Sequence, residues 1–292
     1  MRLTRAFLIA ATLAGAAACG REDVNTTLER VARARELAAD LTVQFTMAAD
    51  ASNRAVMADT DEASTEFAKE SKESSQMVQK DVELLRSTLK ALGYDAEDKL
   101  LTEFEKNLAE YRRVDDGVLG LAVENTNLKA QSLAFGPAQE AANAFRDALA
   151  GITPAMPADR PRLERLAATA ILTVREIQVL QAPHIANADE AVMTRMEQQM
   201  STSEGAAKRA LDALRPLASA ASRPKLDVAT AALKQFLALN SQIVALSRRN
   251  TNVRSLMLSL DETRKLTVAC QDNLRALQAA LATRGYSGIR EH

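Results

Sequence analysis

Two stretches of this 292-residue chain carry side chains whose types and spacing suit recognition of a small polar molecule. Glu124-Asn125-Thr126-Asn127-Leu128-Lys129-Ala130 returns 125 residues later as Arg249-Asn250-Thr251-Asn252-Val253-Arg254-Ser255. Each motif interrupts an apolar row that advances in steps of three and four. The first row is Val114, Val118, Leu121, Asn125, Leu128, Ser132 and Phe135; the second is Leu239, Ile243, Leu246, Asn250, Val253, Met257 and Leu260. That spacing keeps a row on one face of a helix, so Asn125 and Asn250 are expected at equivalent core depth. A buried amide costs about 2 kcal/mol or more unless its hydrogen bonds are met. One explanation is a core amide that sets helix register and partner choice; the other is a pair of amides lining a polar pocket. Lys129 and Arg254 flank these amides, and Arg54 lies on the first predicted helix, near mid-bundle by length. Cations so placed can meet a carboxylate. Asn125, Lys129, Arg54, Asn250 and Arg254 therefore form the candidate ligand-binding set, with a small acidic solute as its ligand. The competing reading of each cation is solvated surface charge.

Other chemistries lack their residues. The two histidines, His184 and His292, belong to no Glu-x-x-His, Cys-x-x-Cys-His or His-Glu-x-x-His pattern, so no metal or haem site is expected. A Gly-rich phosphate loop and a Gly-x-Ser-x-Gly nucleophile turn are both missing. Asp59 and Asp61 are spaced like the start of a calcium loop, but its Gly and terminal Glu are not there, so they read as helix caps. Neither a catalytic residue nor a cofactor is expected, and the chain does not read as an enzyme.

The elements that must position the amides are helices. Leu28, Val31, Leu37, Leu41 and Phe45 predict a helix from Asn25 or Thr26 to about Met57. Asp59 or Asp61 starts a second helix, ended by Gly93. Asp95 caps a third, predicted to run unbroken through the Asn-Thr-Asn motif to Gly136-Pro137, and a short fourth follows over Ala138–Leu149. The segment from Gly151 to Pro161 holds three prolines and reads as a joint. Beyond it the plan repeats, with a helix from Arg162 to Pro183 and Ala186-Asn187-Ala188-Asp189-Glu190-Ala191 echoing Ala58-Asp59-Thr60-Asp61-Glu62-Ala63. The expected architecture is all-α, two tandem antiparallel four-helix bundles at 19–151 and 162–292, joined by 152–161.

Composition agrees with closely packed helices: 47% of residues are hydrophobic and only 3% aromatic. A net charge of −1 argues against binding nucleic acid or an anionic membrane face. Arg2 and Arg5, the run Ala6–Ala14 and the small residues before Cys19 predict a signal peptide at 1–18. Gly15-Ala16-Ala17-Ala18-Cys19 is similar to the bacterial lipobox, with Ala16 where Leu is usual. Cys19 is thus the expected lipidation site of a periplasmic or outer-membrane lipoprotein, plain cleavage after Ala18 being the alternative. Cys270 would remain without a disulfide partner, and it aligns with Phe145 across the 125-residue shift, which predicts a buried thiol.

Residues Ala51 to Leu149 resemble the periplasmic four-helix-bundle sensor domain of bacterial methyl-accepting chemotaxis receptors. The resemblance is carried by Asn53-Arg54-Ala55-Val56, Asp61-Glu62-Ala63-Ser64, and Val123 to Gln131 followed by Phe135-Gly136-Pro137-Ala138. In the second repeat Arg264-Lys265-Leu266-Thr267-Val268-Ala269-Cys270-Gln271 has the same character. It implies extracytoplasmic sensing of a small molecule, homodimers, and a helical membrane-protein partner to carry the signal. The functional expectation is a lipid-anchored solute-sensing or solute-binding protein. Its alternative is a structural or interaction lipoprotein of the envelope with no small-molecule ligand.

Overall fold

The computed structural model describes residues 13–287, with side chains placed from Val24 to Arg284. The predicted signal peptide and the Cys19 side chain lie outside the described side chains, as does His292. Among the described residues the chain is all-α, apart from one isolated bridge between Pro154 and Ala218. Its helices are α1 (Leu13–Met57), α2 (Asp61–Leu92), α3 (Asp95–Glu124), α4 (Thr126–Phe135), α5 (Pro137–Ala150), α6 (Arg160–Ala186), α7 (Glu190–Leu214), α8 (Arg223–Arg249), α9 (Thr251–Leu258) and α10 (Arg264–Ser287). A short π-helical turn, Ser259–Thr263, joins α9 to α10.

Several helix ends follow directly from sequence. Gly93 takes φ +67, and Tyr94 N–H donates to the carbonyl of Leu89 at 3.0 Å, closing α2 in the way a C-terminal glycine permits. Asp189 caps α7 by accepting from the amides of Ala191 and Val192 at 2.8 and 3.1 Å. Pro137 occupies the first turn of α5, where a missing N–H costs no helical bond.

The division into bundles departs from the tandem expectation. One compact unit gathers Glu62–Leu119 with the described parts of Met1–Ala58 and Leu258–His292; the other is Gly120–Met257 with Asp59–Asp61. The second unit is thus nested within the chain of the first. The first core joins Leu37, Leu41 and Phe45 of α1, Val78, Val82, Leu85 and Leu89 of α2, Leu101, Phe104 and Leu108 of α3, and Leu274, Leu277 and Leu281 of α10. Phe45 meets the rings of Phe104 and Tyr111 edge-on at 5.9 and 5.2 Å between centroids, an arrangement that aligns ring edges with ring faces. Cys270 is fully buried here, as its alignment with Phe145 implied. The second core joins Ala130 and Ala134 of α4, Phe145 and Leu149 of α5, Val174 and Ile177 of α6, Leu211 and Leu214 of α7, and Leu233, Phe236 and Ile243 of α8. The last helix of each sequence repeat therefore packs in the core of the other: α5 with α6–α8, and α10 with α1–α3.

The proline-rich segment is consequently no joint between units. Its backbone pairs with the α7–α8 connection through Ala155 N–H to Leu217 O at 2.8 Å and Ser219 N–H to Thr153 O at 2.9 Å. Thr153 N–H also donates to Ser222 Oγ at 2.8 Å. Proline removed the option of helix, but the flanking amides still needed acceptors, and the neighbouring loop supplies them.

The nested arrangement predicts how the chain divides. Residues 120–257 expressed alone retain a complete core and unfold cooperatively by circular dichroism. Fragments 19–151 and 162–292 each separate α5 or α10 from its core and should lose cooperative unfolding. A sharp melting transition in both of those halves would contradict this packing.

Candidate functional site

The repeated motif does not continue a helix; it breaks one. Asn125 takes φ 49, ψ 40 and Asn250 takes φ 52, ψ 39, the left-handed region, which Asn tolerates better than any β-branched or bulky residue. They are the two positive-φ non-glycine residues among those described. Both asparagines are buried as expected, but the turn redirects the rows beyond them. Phe135 is 65% exposed and Met257 59%, whereas Thr126, Asn127, Ala130 and Thr251 are buried. The single continuous stripe through each motif is thereby corrected.

Each break leaves a new helix start, and the first amides of a helix have no partner within it. Here α4 and α9 cap each other. Thr126 N–H donates to Thr251 Oγ1 and Thr251 N–H to Thr126 Oγ1, both at 3.1 Å, with the two hydroxyl oxygens also 3.1 Å apart. Asn127 N–H donates to Asn252 Oδ1 at 3.1 Å, and Asn252 N–H to Asn127 Oδ1 at 3.2 Å. The amide groups then bond crosswise: Asn127 Nδ2 to Asn250 Oδ1 and Asn252 Nδ2 to Asn125 Oδ1, each at 2.8 Å.

The same cluster closes the C-terminal end of α6. Ser247 Oγ donates to His184 O at 2.8 Å, Asn127 Nδ2 to Ile185 O at 2.7 Å, and Asn250 Nδ2 to Asn187 O at 2.8 Å. Those carbonyls are the ones a helix terminus leaves unpaired. This explains why α6 runs past Pro183 to Ala186 instead of stopping there. His184, just past the predicted helix end at Pro183, is fully buried, with Nδ1 2.8 Å from Ser247 Oγ and Nε2 2.9 Å from Glu197 Oε1. Arg248 Nε reaches the same Glu197 oxygen at 2.6 Å. The Arg248 bond first, and the His184 bond against the opposing effect of burial, hold the Glu197 carboxyl below its ordinary range.

The cations of the candidate set are occupied differently. Lys129 Nζ donates to Glu124 O at 2.9 Å and pairs with Asp61 Oδ2 at 3.2 Å. Arg254 is exposed, and its backbone N–H donates to Asn250 O at 3.0 Å. Arg54 belongs to the first unit, where its guanidinium stacks 3.9 Å over the Phe67 ring and reaches Glu70 at 3.3 Å. Asn125, Asn250, Lys129 and Arg254 share the second unit.

Two further features carry polar chemistry that the sequence did not single out. In the second unit a shallow groove between α6 and α7 is lined by Leu172, Arg175, Val179, Arg195, Gln198 and Gln199. Leu172 and Val179 are 60% and 71% exposed there, and Arg195 makes no ion pair among the described residues. In the first unit Asp115 of α3 is buried against Ser52 and Ser71. Its burial pushes the carboxyl up to about 6, the Ser52 bond opposing. No group of His, Cys, Asp and Glu among the described residues is placed to hold a metal ion.

No family model, curated protein or solved structure matches this chain.

The left-handed turn separates conformation from hydrogen bonding in a testable way. Asn250→Leu loses the bonds to Asn127 and Asn187 and forces a branched residue into positive φ, costing about 3 kcal/mol. Asn250→Gly accepts the φ and loses only the bonds, costing about half as much. Urea denaturation of the full chain measures both, and equal losses would show that the backbone turn carries no strain.

Proposed function

We propose that this chain is an exported, lipid-anchored helical protein that binds a small acidic solute and presents the bound state to a membrane-protein partner. The single observation that carries the reading is the α6–α7 groove. Arg175 and Arg195 stand beside the exposed aliphatic residues Leu172 and Val179, and the Gln198 and Gln199 amides complete the rim. Arg175 Nη1 donates to Gln178 Oε1 at 3.2 Å, and Glu176, which also lines the groove, accepts from Ser203 Oγ at 2.7 Å. Planar guanidinium groups over an apolar strip suit a carboxylate attached to an aliphatic or aromatic body. The resemblance of Ala51–Leu149 to chemoreceptor sensor domains supports a sensing role. No helix among the described residues is long and apolar enough to cross a membrane. Attachment in this reading falls to an acyl group on Cys19.

A structural role in the envelope is the second reading, and the reciprocal capping of α4 and α9 favours it. Asn125, Asn127, Asn250 and Asn252 spend amide groups on each other, which is the behaviour of a brace.

Thermal shift against a panel of aliphatic and aromatic carboxylates, amino acids and amines separates the two readings. A ligand at one hundred times its Kd adds about 2.7 kcal/mol of stability. In the sensing reading carboxylates raise Tm, and Arg195→Ala weakens their binding roughly tenfold with the unliganded Tm unchanged. A panel without any shift leaves the brace. Independently, acylation at Cys19 predicts membrane partitioning that Cys19→Ala abolishes, read by fractionation and N-terminal mass.

A further inference from the structure

Asp115 and Asn240 stand 125 residues apart, the same interval that relates the two Asn-Thr-Asn motifs. Each is buried on the corresponding helix of its own unit, Asp115 6% exposed and Asn240 8%. At one core position the first unit thus carries an ionisable acid where the second carries its neutral isostere. Asn240 is satisfied: its Oδ1 accepts from Gln181 Nε2 at 2.8 Å, and its Nδ2 lies 3.8 Å from Met200 Sδ.

The surroundings of Asp115 give a different donor count. Ser52 Oγ donates to Asp115 Oδ1. Ser71 Oγ lies 3.5 Å from Oδ2, but its one proton goes to Ala48 O at 2.9 Å. Ser71 can thus give Oδ2 only a long, shared bond that opposes the effect of burial weakly, and with its proton on Ala48 O the contact becomes a full hydrogen bond when the carboxyl supplies the proton. Tyr111, one turn earlier on α3, is 1% exposed, and its hydroxyl makes no hydrogen bond of ordinary geometry although it sits beside the Asp115 carboxyl. Thr263 of the π-helical turn is a second buried hydroxyl in this unit without a partner. Hydroxyls so placed are rare in native cores.

Among the described residues no cation compensates the site at contact distance. From α2 the exposed Lys72 acts only at range; from α3 the exposed Asp116 opposes ionisation, and Tyr111 stays neutral; from α10 Cys270, whose thiol burial pushes up to about 12, stays neutral as well. From α1 the facing group is Ser52, which does not titrate in this range.

We infer that Asp115 is a proton-responsive site in the first unit: protonated, it completes a hydroxyl cluster with Ser52 and Ser71, and ionised, it loosens the packing of α1, α2 and α3 around it. The folded carboxyl holds its proton more tightly than an unfolded chain does. Its stabilising contribution is present below the ordinary carboxylate range and is lost as pH rises to and through about 6. The second unit, with Asn240, has no such response.

Hydrogen exchange by mass spectrometry on the full chain, from pH 5 to 8, tests this against Asp115→Asn at each pH. Peptides over 64–74 and 101–119 in the wild type lose protection relative to the variant as pH rises, by up to roughly a hundredfold. Peptides around Asn240 show no such difference. Identical pH profiles in wild type and variant overturn the inference, as does an equal response in the Asn240 peptides. Should Asp115→Asn fail to fold, the infrared carbonyl band of a protonated buried carboxyl decides on the wild type alone. Loss of that band near pH 6 supports the inference, and a band unchanged across the range overturns it.

Discussion

Two asparagines held at positive φ set the path of this chain. At Asn125 and Asn250 the helical ladder stops, and a restart of the helix demands partners for its first amides. Thr251 and Asn252 supply those partners to α4, while Thr126 and Asn127 supply them to α9. The caps are reciprocal, so neither break can be satisfied alone. The same three residues in both places close the arrangement symmetrically, which accounts for the repeat in physical terms. The amides left over then serve the end of α6, donating to the carbonyls of Ile185 and Asn187 just past Pro183.

Much of the local structure was legible because it depends on local chemistry. Gly93 ends α2, Asp189 caps α7, and Cys270 occupies the core position that Phe145 implied. The distribution of helices between cores was not legible. A repeat in sequence says which residues are equivalent, not which copy of an equivalent core they fill. The apolar face of α5 suits α6–α8 as well as α1–α3, because both cores present the same kind of Leu, Ala and Phe surface. Steps of three and four cannot register a single φ of opposite sign either. The stripe through Asn125 therefore read as continuous, although Phe135 at its end faces solvent.

The candidate site was legible in part for the same reason. The depth of Asn125 and Asn250 followed from spacing, but their partners did not, since Thr126–Thr251 pairing joins residues far apart in the chain. Arg54 and Lys129 are cations whose spacing carries no information about Glu70, Phe67 or Asp61. Asp115 carries no motif of its own, and its neighbour Asp116 is exposed. The signal that reveals it is the register with Asn240, a comparison between repeats that a scan for motifs passes over.

The two units also differ in how they treat buried polarity, and the difference has a direction. In the second unit Gln181, His184, Asn240 and Asn250 all find partners within 3.0 Å. Such a network raises the cost of any rearrangement, because moving one member strands several others in a low dielectric. The first unit keeps the Tyr111 and Thr263 hydroxyls without a hydrogen bond of ordinary geometry, and an acid in a hydroxyl cluster. Its core is therefore the one in which a small change of charge alters the balance of hydrogen bonds. Rigidity concentrated in the unit that holds the helix breaks, and responsiveness in the unit that holds Asp115, is the pattern expected when one part of a chain must preserve its topology while another part changes state.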